Sequence, residues 1–157
     1  MTVYYQFGSR VGLLEALFDG LGGRYFQAEL PRVMSQADPL QALDDLIDIF
    51  FSFWAAERVV IRRVRGMAAL DPAFEESIRG RDERRRQLLG LVLGRTTERY
   101  GRPTQDSLDE TVDVFYALTS FATFDSLAGD SGRAKDVVPV VQRLAHRILG
   151  IDVAASA

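Results

Sequence analysis

Few residues of this chain have the means to do covalent chemistry. Gly129-Asp130-Ser131-Gly132 sets a serine in a glycine-flanked segment of the kind that carries a nucleophile, and His146 is the one imidazole that would serve it as a base. Sites of that type stand on β-barrels with the histidine upstream of the serine, whereas His146 follows Ser131 in a chain without strand signals. The segment therefore reads as an interhelical turn, and His146 as a surface or interface residue of the last helix. One histidine and no cysteine leave no metal site of ordinary donor type. The adjacent pairs Glu75-Glu76 and Asp82-Glu83 point to different sides of a helix and do not converge. Gly20-Leu21-Gly22-Gly23 follows no strand and lacks the lysine of a phosphate-binding loop. The expectation is a protein that is not an enzyme and uses no cofactor and no metal.

Composition narrows the remaining classes. A chain of 157 residues that is 47% hydrophobic and 26% charged is long and apolar enough to bury one substantial core. Its longest apolar run, residues 46–56, is interrupted by Asp48 and falls short of the roughly 20 residues of a membrane helix, so no span is expected. No secretory signal is legible at the N-terminus, and the absence of cysteine agrees with a reducing compartment; the expected location is cytoplasmic. A formal charge of −3 argues against a free-standing nucleic-acid binder. The charge is nevertheless uneven: between Arg58 and Arg102 there are twelve Arg and six Asp or Glu, while the flanking stretches are acidic. Such blocks read first as solvated helix faces that attract one another.

Apolar residues recur at three- and four-residue spacing almost throughout, which makes the chain all-α, with about six to seven helices. Ser9 caps a helix over residues 9 to about 26 or 30, with Leu13, Leu14, Leu17, Phe18 and Leu21 as its stripe and three glycines weakening its later half. Asp38-Pro39 and Asp71-Pro72 are helix starts, each an Asp cap followed by Pro at the first helical position. A break near Glu57-Arg58 separates the first of these helices from a short one over residues 59 to about 70. The next runs from 72 to 100 and stops at Gly101-Arg102-Pro103. Ser107-Leu108-Asp109-Glu110 is a capping box opening a helix to about 127, and a last helix over 134–149 ends at Gly150, leaving 151–157 as a flexible tail.

The amino-terminal segment carries a more specific pattern. Thr2-Val3-Tyr4-Tyr5-Gln6-Phe7, then Gly8-Ser9-Arg10, then Leu13-Leu14-Glu15-Ala16, resembles the end of the helix-turn-helix in TetR-family transcriptional regulators. In that family the recognition helix ends in a Thr-x-Tyr-x-x-Phe segment, a short turn follows, and the next helix opens with a basic residue that grips a phosphate. By this resemblance Thr2, Tyr4 and Phe7 fix the recognition helix, Tyr5 lies near the DNA, and Arg10 takes the place of the phosphate-gripping residue, where its forked donor suits an anion at a helix N-terminus. The resemblance divides the chain into a recognition-helix remnant over 1–8, a connecting helix over 9–30 and a ligand-binding and dimerisation domain over 31–150. The two helices that precede the recognition helix in the family have no counterpart in the sequence as written. Operator DNA is therefore an expected partner only of an intact, full-length form, since groove reading needs a rigidly held helix.

The resemblance further implies a small-molecule cavity within the bundle and a homodimer formed by the last two helices. For the cavity the sequence offers Phe50, Phe53, Trp54, Met67, Phe74, Phe115, Tyr116 and Phe124 as apolar walls, with Arg62, Thr119 and Thr123 as orienting polar groups, which suits an apolar or aromatic effector. For the dimer it offers Val112, Phe115, Leu118 and Ala122 on one helix and Val137, Val141, Leu144, Ala145 and Ile148 on the next. The alternative is a helical carrier or interaction module for apolar ligands with no DNA role.

Overall fold

A computed structural model describes residues 9–101, 107–129 and 134–151. The described residues form seven helices and no strand: α1 Arg10–Met34, α2 Pro39–Ala56, α3 Arg58–Ala68, α4 Pro72–Tyr100, α5 Leu108–Leu118, α6 Phe121–Ala128 and α7 Ala134–Ile148. The chain is an all-α bundle. None of the described helices is long and apolar enough to cross a membrane.

Helix α2 is the axis of the bundle. Asp38 caps it, its carboxylate accepting from the Leu40 amide at 3.0 Å, and Pro39 opens its first turn. Its apolar residues fall on nearly every side, and α1, α3, α4, α6 and α7 all pack on it. The 29-residue α4, about 43 Å long, runs beside it. Asp71 caps α4 through the Ala73 amide. At the other end Gly101 takes a positive φ of 84° that a side chain would strain, and its N–H closes the last turn on Thr97.

Two elements differ from expectation. Helix α1 does not stop near 26 or 30 but continues through Pro31 to Met34. Its carboxyl end and the following turn are held by α4: Arg95 donates to the Met34 carbonyl at 3.0 Å and to that of Gln36, Arg99 donates to the Ala37 carbonyl, and the Tyr100 hydroxyl donates to Asp38. Cations at a helix C-terminus satisfy its free carbonyls and oppose its dipole, which outweighs the helix-weakening glycines. The stripe proposed for α1 is also split, with Leu21 buried but Leu13 and Leu17 exposed.

The second difference is the helix expected from 107 to 127, which breaks at Thr119-Ser120 into α5 and α6. The Ser107–Glu110 capping box opens α5 as anticipated. Its far end is closed by side chains that compete with the helical ladder. The Thr119 hydroxyl turns back to the Phe115 carbonyl, Ser120 caps α6 through the Thr123 amide, and the Thr123 hydroxyl takes the Ala117 carbonyl. The freed Thr119 carbonyl accepts the indole N–H of Trp54 at 3.2 Å. The α2–α3 break falls at Glu57, as expected, and α7 ends at Ile148, two residues before Gly150, whose φ is 64°.

Candidate functional site

A partly open cavity of about 230 Å³ lies between α1, α2, α3 and α4. Its floor is aromatic: Phe26 from α1 meets Phe53 edge-on at 5.2 Å between ring centroids and tilts against Phe50 at 6.0 Å, and Phe53 abuts Trp54 at 5.2 Å. Gly22 and Leu30 of α1, Ile61 of α3, and Ile78 and Leu88 of α4 complete the apolar surface. The remaining wall is charged, with Arg65 from α3 and Arg81, Asp82, Arg84 and Arg85 from α4.

These charges are arranged by helical spacing. Ile78, Arg81, Arg85 and Leu88 recur at three- and four-residue intervals and so share one face of α4. Asp82 is held by Arg65, whose guanidinium donates to both carboxylate oxygens at 3.0 and 3.1 Å. Arg81 pairs with Asp19 of α1 at 3.1 Å. Arg85 is only 5% exposed, and it donates to the Tyr116 carbonyl and the Thr119 hydroxyl, each at 2.8 Å, while lying 4.2 Å from the Tyr116 ring centroid. Burial pulls the Arg85 guanidinium below its ordinary range, with Asp82 and Tyr116 opposing the shift. It remains a cation, since no protein environment deprotonates arginine near neutrality.

Of the residues expected to line a pocket, Phe50, Phe53 and Trp54 face this cavity together. The other eight residues offered for the pocket do not line it. Arg62 is on the outer face of α3, where its Nε donates to both Asp125 oxygens at 2.9 and 3.0 Å. Met67 is exposed and Phe74 is buried in the core. Tyr116 and Thr119 stand one layer behind the cavity and hold Arg85, and Thr123 is spent on the α5–α6 turn. Phe115 and Phe124, also offered as walls, are fully buried in the core. The residues that the sequence pattern left out are those of α1 and the arginines of α4. Arginines on a charged helix read as solvent-facing, yet Arg85 interrupts an apolar stripe, and that position was the available signal.

The faces offered for dimerisation are largely consumed inside one chain. Val112, Phe115, Val137, Val141 and Ala145 are buried among neighbours of the same chain, because α5 packs on α4 and α7 packs on α2 and α6. Leu118 and Ile148 pack partly against that core, while Ala122 and Leu144 remain exposed. His146 is not a surface group but half-buried, with Nε2 2.8 Å from Asp44 Oδ1. Burial raises the Asp44 carboxyl above its ordinary value and His146 opposes the rise. Thr2, Tyr4, Tyr5 and Phe7 lie outside the described residues, as does Ser131; Arg10 opens α1, and Ser9 caps it by accepting from the Gly12 amide at 3.0 Å.

No protein-family model, curated protein or solved structure significantly matches the chain. The functional reading rests on the residues themselves. A second, more open depression of about 300 Å³ lies between α2 and α7, lined by Asp48, Phe51, Ser52, Ala55, Lys135, Val138 and Pro139, with Phe51 as its one aromatic residue. Among the described residues no group of three or more His, Asp or Glu is placed to hold a metal ion.

Proposed function

We propose that this chain is the sensing and dimerising body of a TetR-like transcriptional regulator of the cytoplasm, which takes a compact apolar or aromatic effector into the α1–α4 cavity and transmits its presence to a DNA-binding head. The observation that carries this reading is that the helix following the Thr2–Phe7 segment is itself a wall of the cavity, through Gly22, Phe26 and Leu30. An effector that packs better against one position of α1 than another shifts the population of that helix, and any head attached to its amino end moves with it. Exposed Leu13 and Leu17 on the leading half of α1 give such a head an apolar seat. The cavity exceeds the roughly 150 Å³ sufficient for benzene, so a one-ring effector with a short substituent fits.

The homodimer forms on the apolar residues left outside on α6 and α7, Ala122, Leu127 and Leu144. Light scattering on the eluted peak is expected to give twice the chain mass, and Leu144→Glu to weaken association by at least about tenfold, since a charge is then desolvated at the seam. The decisive test extends the chain with the coding sequence upstream of Met1 and measures fluorescence anisotropy of labelled DNA from the same locus. Nanomolar binding that a pocket ligand weakens or strengthens supports a regulator. A dimer that binds aromatic compounds and ignores DNA makes the protein a carrier.

A further inference from the structure

We infer that the cavity is built for an anionic amphiphile, an aromatic carboxylic acid of about one ring, whose carboxylate is received by Arg85 at the cavity wall and whose ring lies on Phe26, Phe53 and Trp54. This rests on the pocket being a ligand site and names the class of ligand it takes. Two independent features point to it. The first is charge balance: four guanidinium groups and one carboxylate line the cavity, and that carboxylate, Asp82, is already engaged by both Arg65 hydrogen bonds. Arg81 is in turn offset by Asp19 of α1, so the excess positive charge falls on Arg84 and on the buried Arg85, and an anion offsets it.

The second is the state of Arg85. Its Nη1 is satisfied by Tyr116 and Thr119, and its Nη2 lies 3.7 Å from Asp82, but its Nε–H is buried and has no hydrogen-bond partner. A buried donor on a cation is costly to leave unmatched. Because Thr119, Tyr116 and the Tyr116 ring hold the guanidinium plane, an acceptor that reaches this covered donor from the cavity, by a small shift of the side chains over it, meets it already oriented. Arg84, exposed at the mouth, adds attraction on approach.

Trp54, the only tryptophan of the chain, lines the cavity and reports its occupancy by fluorescence. The purified chain is titrated with 3-phenylpropionate and with 3-phenylpropanol, which share a skeleton and differ in charge, at neutral pH and low salt, and calorimetry confirms each affinity. The acid is expected to bind about tenfold tighter than the alcohol, a 1.4 kcal/mol difference. That advantage shrinks to under about threefold in Arg85→Met and falls with added salt, as for an ion pair. Should Arg85→Met fail to fold, Arg84→Gln reads the same acid-to-alcohol ratio at the mouth, with a smaller decrease expected. Equal affinity for acid and alcohol, or a ratio unchanged in the folded variants and in salt, overturns the anionic inference and leaves the apolar pocket standing. Acid binding that survives Leu88→Phe, which fills the cavity, places the anion elsewhere and also overturns it. If neither compound perturbs Trp54 or releases heat, the sensing reading itself fails, and this inference with it.

Discussion

Helix α2 turns Phe51 into a closed interior and Phe53, two residues later, toward a cavity. On the closed side Phe51 is buried and meets Phe124 edge-on at 5.5 Å, Phe115, Val141 and Ile47 are fully buried in the same core, and the depression beside α7 reaches no further than the edge of Phe51. On the cavity side an equally aromatic surface faces α4, which answers with Arg81, Arg84 and Arg85. A guanidinium cannot collapse onto hydrocarbon without abandoning its own hydrogen bonds, so the gap stays open. The difference between the two sides of one helix lies in what the facing helix contributes, and it separates the part that holds the fold from the part able to accept a ligand.

The largest effect is expected from Phe51→Ala. Removing a fully buried phenyl ring from a close-packed interior costs about 3–5 kcal/mol. Phe26→Ala, at the half-buried cavity wall, is expected to cost less than about half of that and to enlarge the pocket. Urea denaturation of the two variants measures both, and similar losses would break the contrast between the sides. Thr119→Val tests the support of the charged wall next. It deprives buried Arg85 of an acceptor, at about 1–3 kcal/mol, and lowers affinity for anionic probes while leaving neutral ones nearly untouched.

Helix caps sharpen the contrast from the other direction, because they are local. Ser107→Ala at α5, on the closed side, and Asp71→Ala at α4, on the cavity side, are each expected to cost about 1 kcal/mol. A large disparity between them would mean that the two sides unfold separately. The smallest effect is a pH dependence on the closed side. Asp44 titrates above its ordinary 3.8 because it is buried, so between the two values the folded chain binds more protons than the unfolded one. Stability contributed by the protonated carboxyl is thus lost as pH rises from 3.8 through the raised value. Asp44→Asn removes that slope, and thermal melts of both proteins across mildly acidic pH show the wild type losing ground to the variant on going up.

The helices were legible for a physical reason. Asp38-Pro39, Asp71-Pro72 and the Ser107–Glu110 box act within a single turn, and their signals survive in isolation. The α5–α6 break was not, because it depends on Thr119 and Ser120 choosing backbone partners over the helical ladder while Trp54, 65 positions away, takes the released carbonyl. The aromatic half of the candidate pocket was read from spacing on α2. Its other half was missed, since Phe26 and Leu30 belong to a helix whose end is set by Arg95 reaching back from α4.

Periodicity and caps, which operate over a few residues, were sufficient to make this chain all-helical and to place most helix starts. Which stripe met which was settled by packing among segments as much as a hundred positions apart, as between Asp44 and His146. That packing spent Val112, Phe115 and Val141 indoors and drew Arg85 into a wall, because burial and desolvation belong to surfaces in contact and have no value for a residue considered alone.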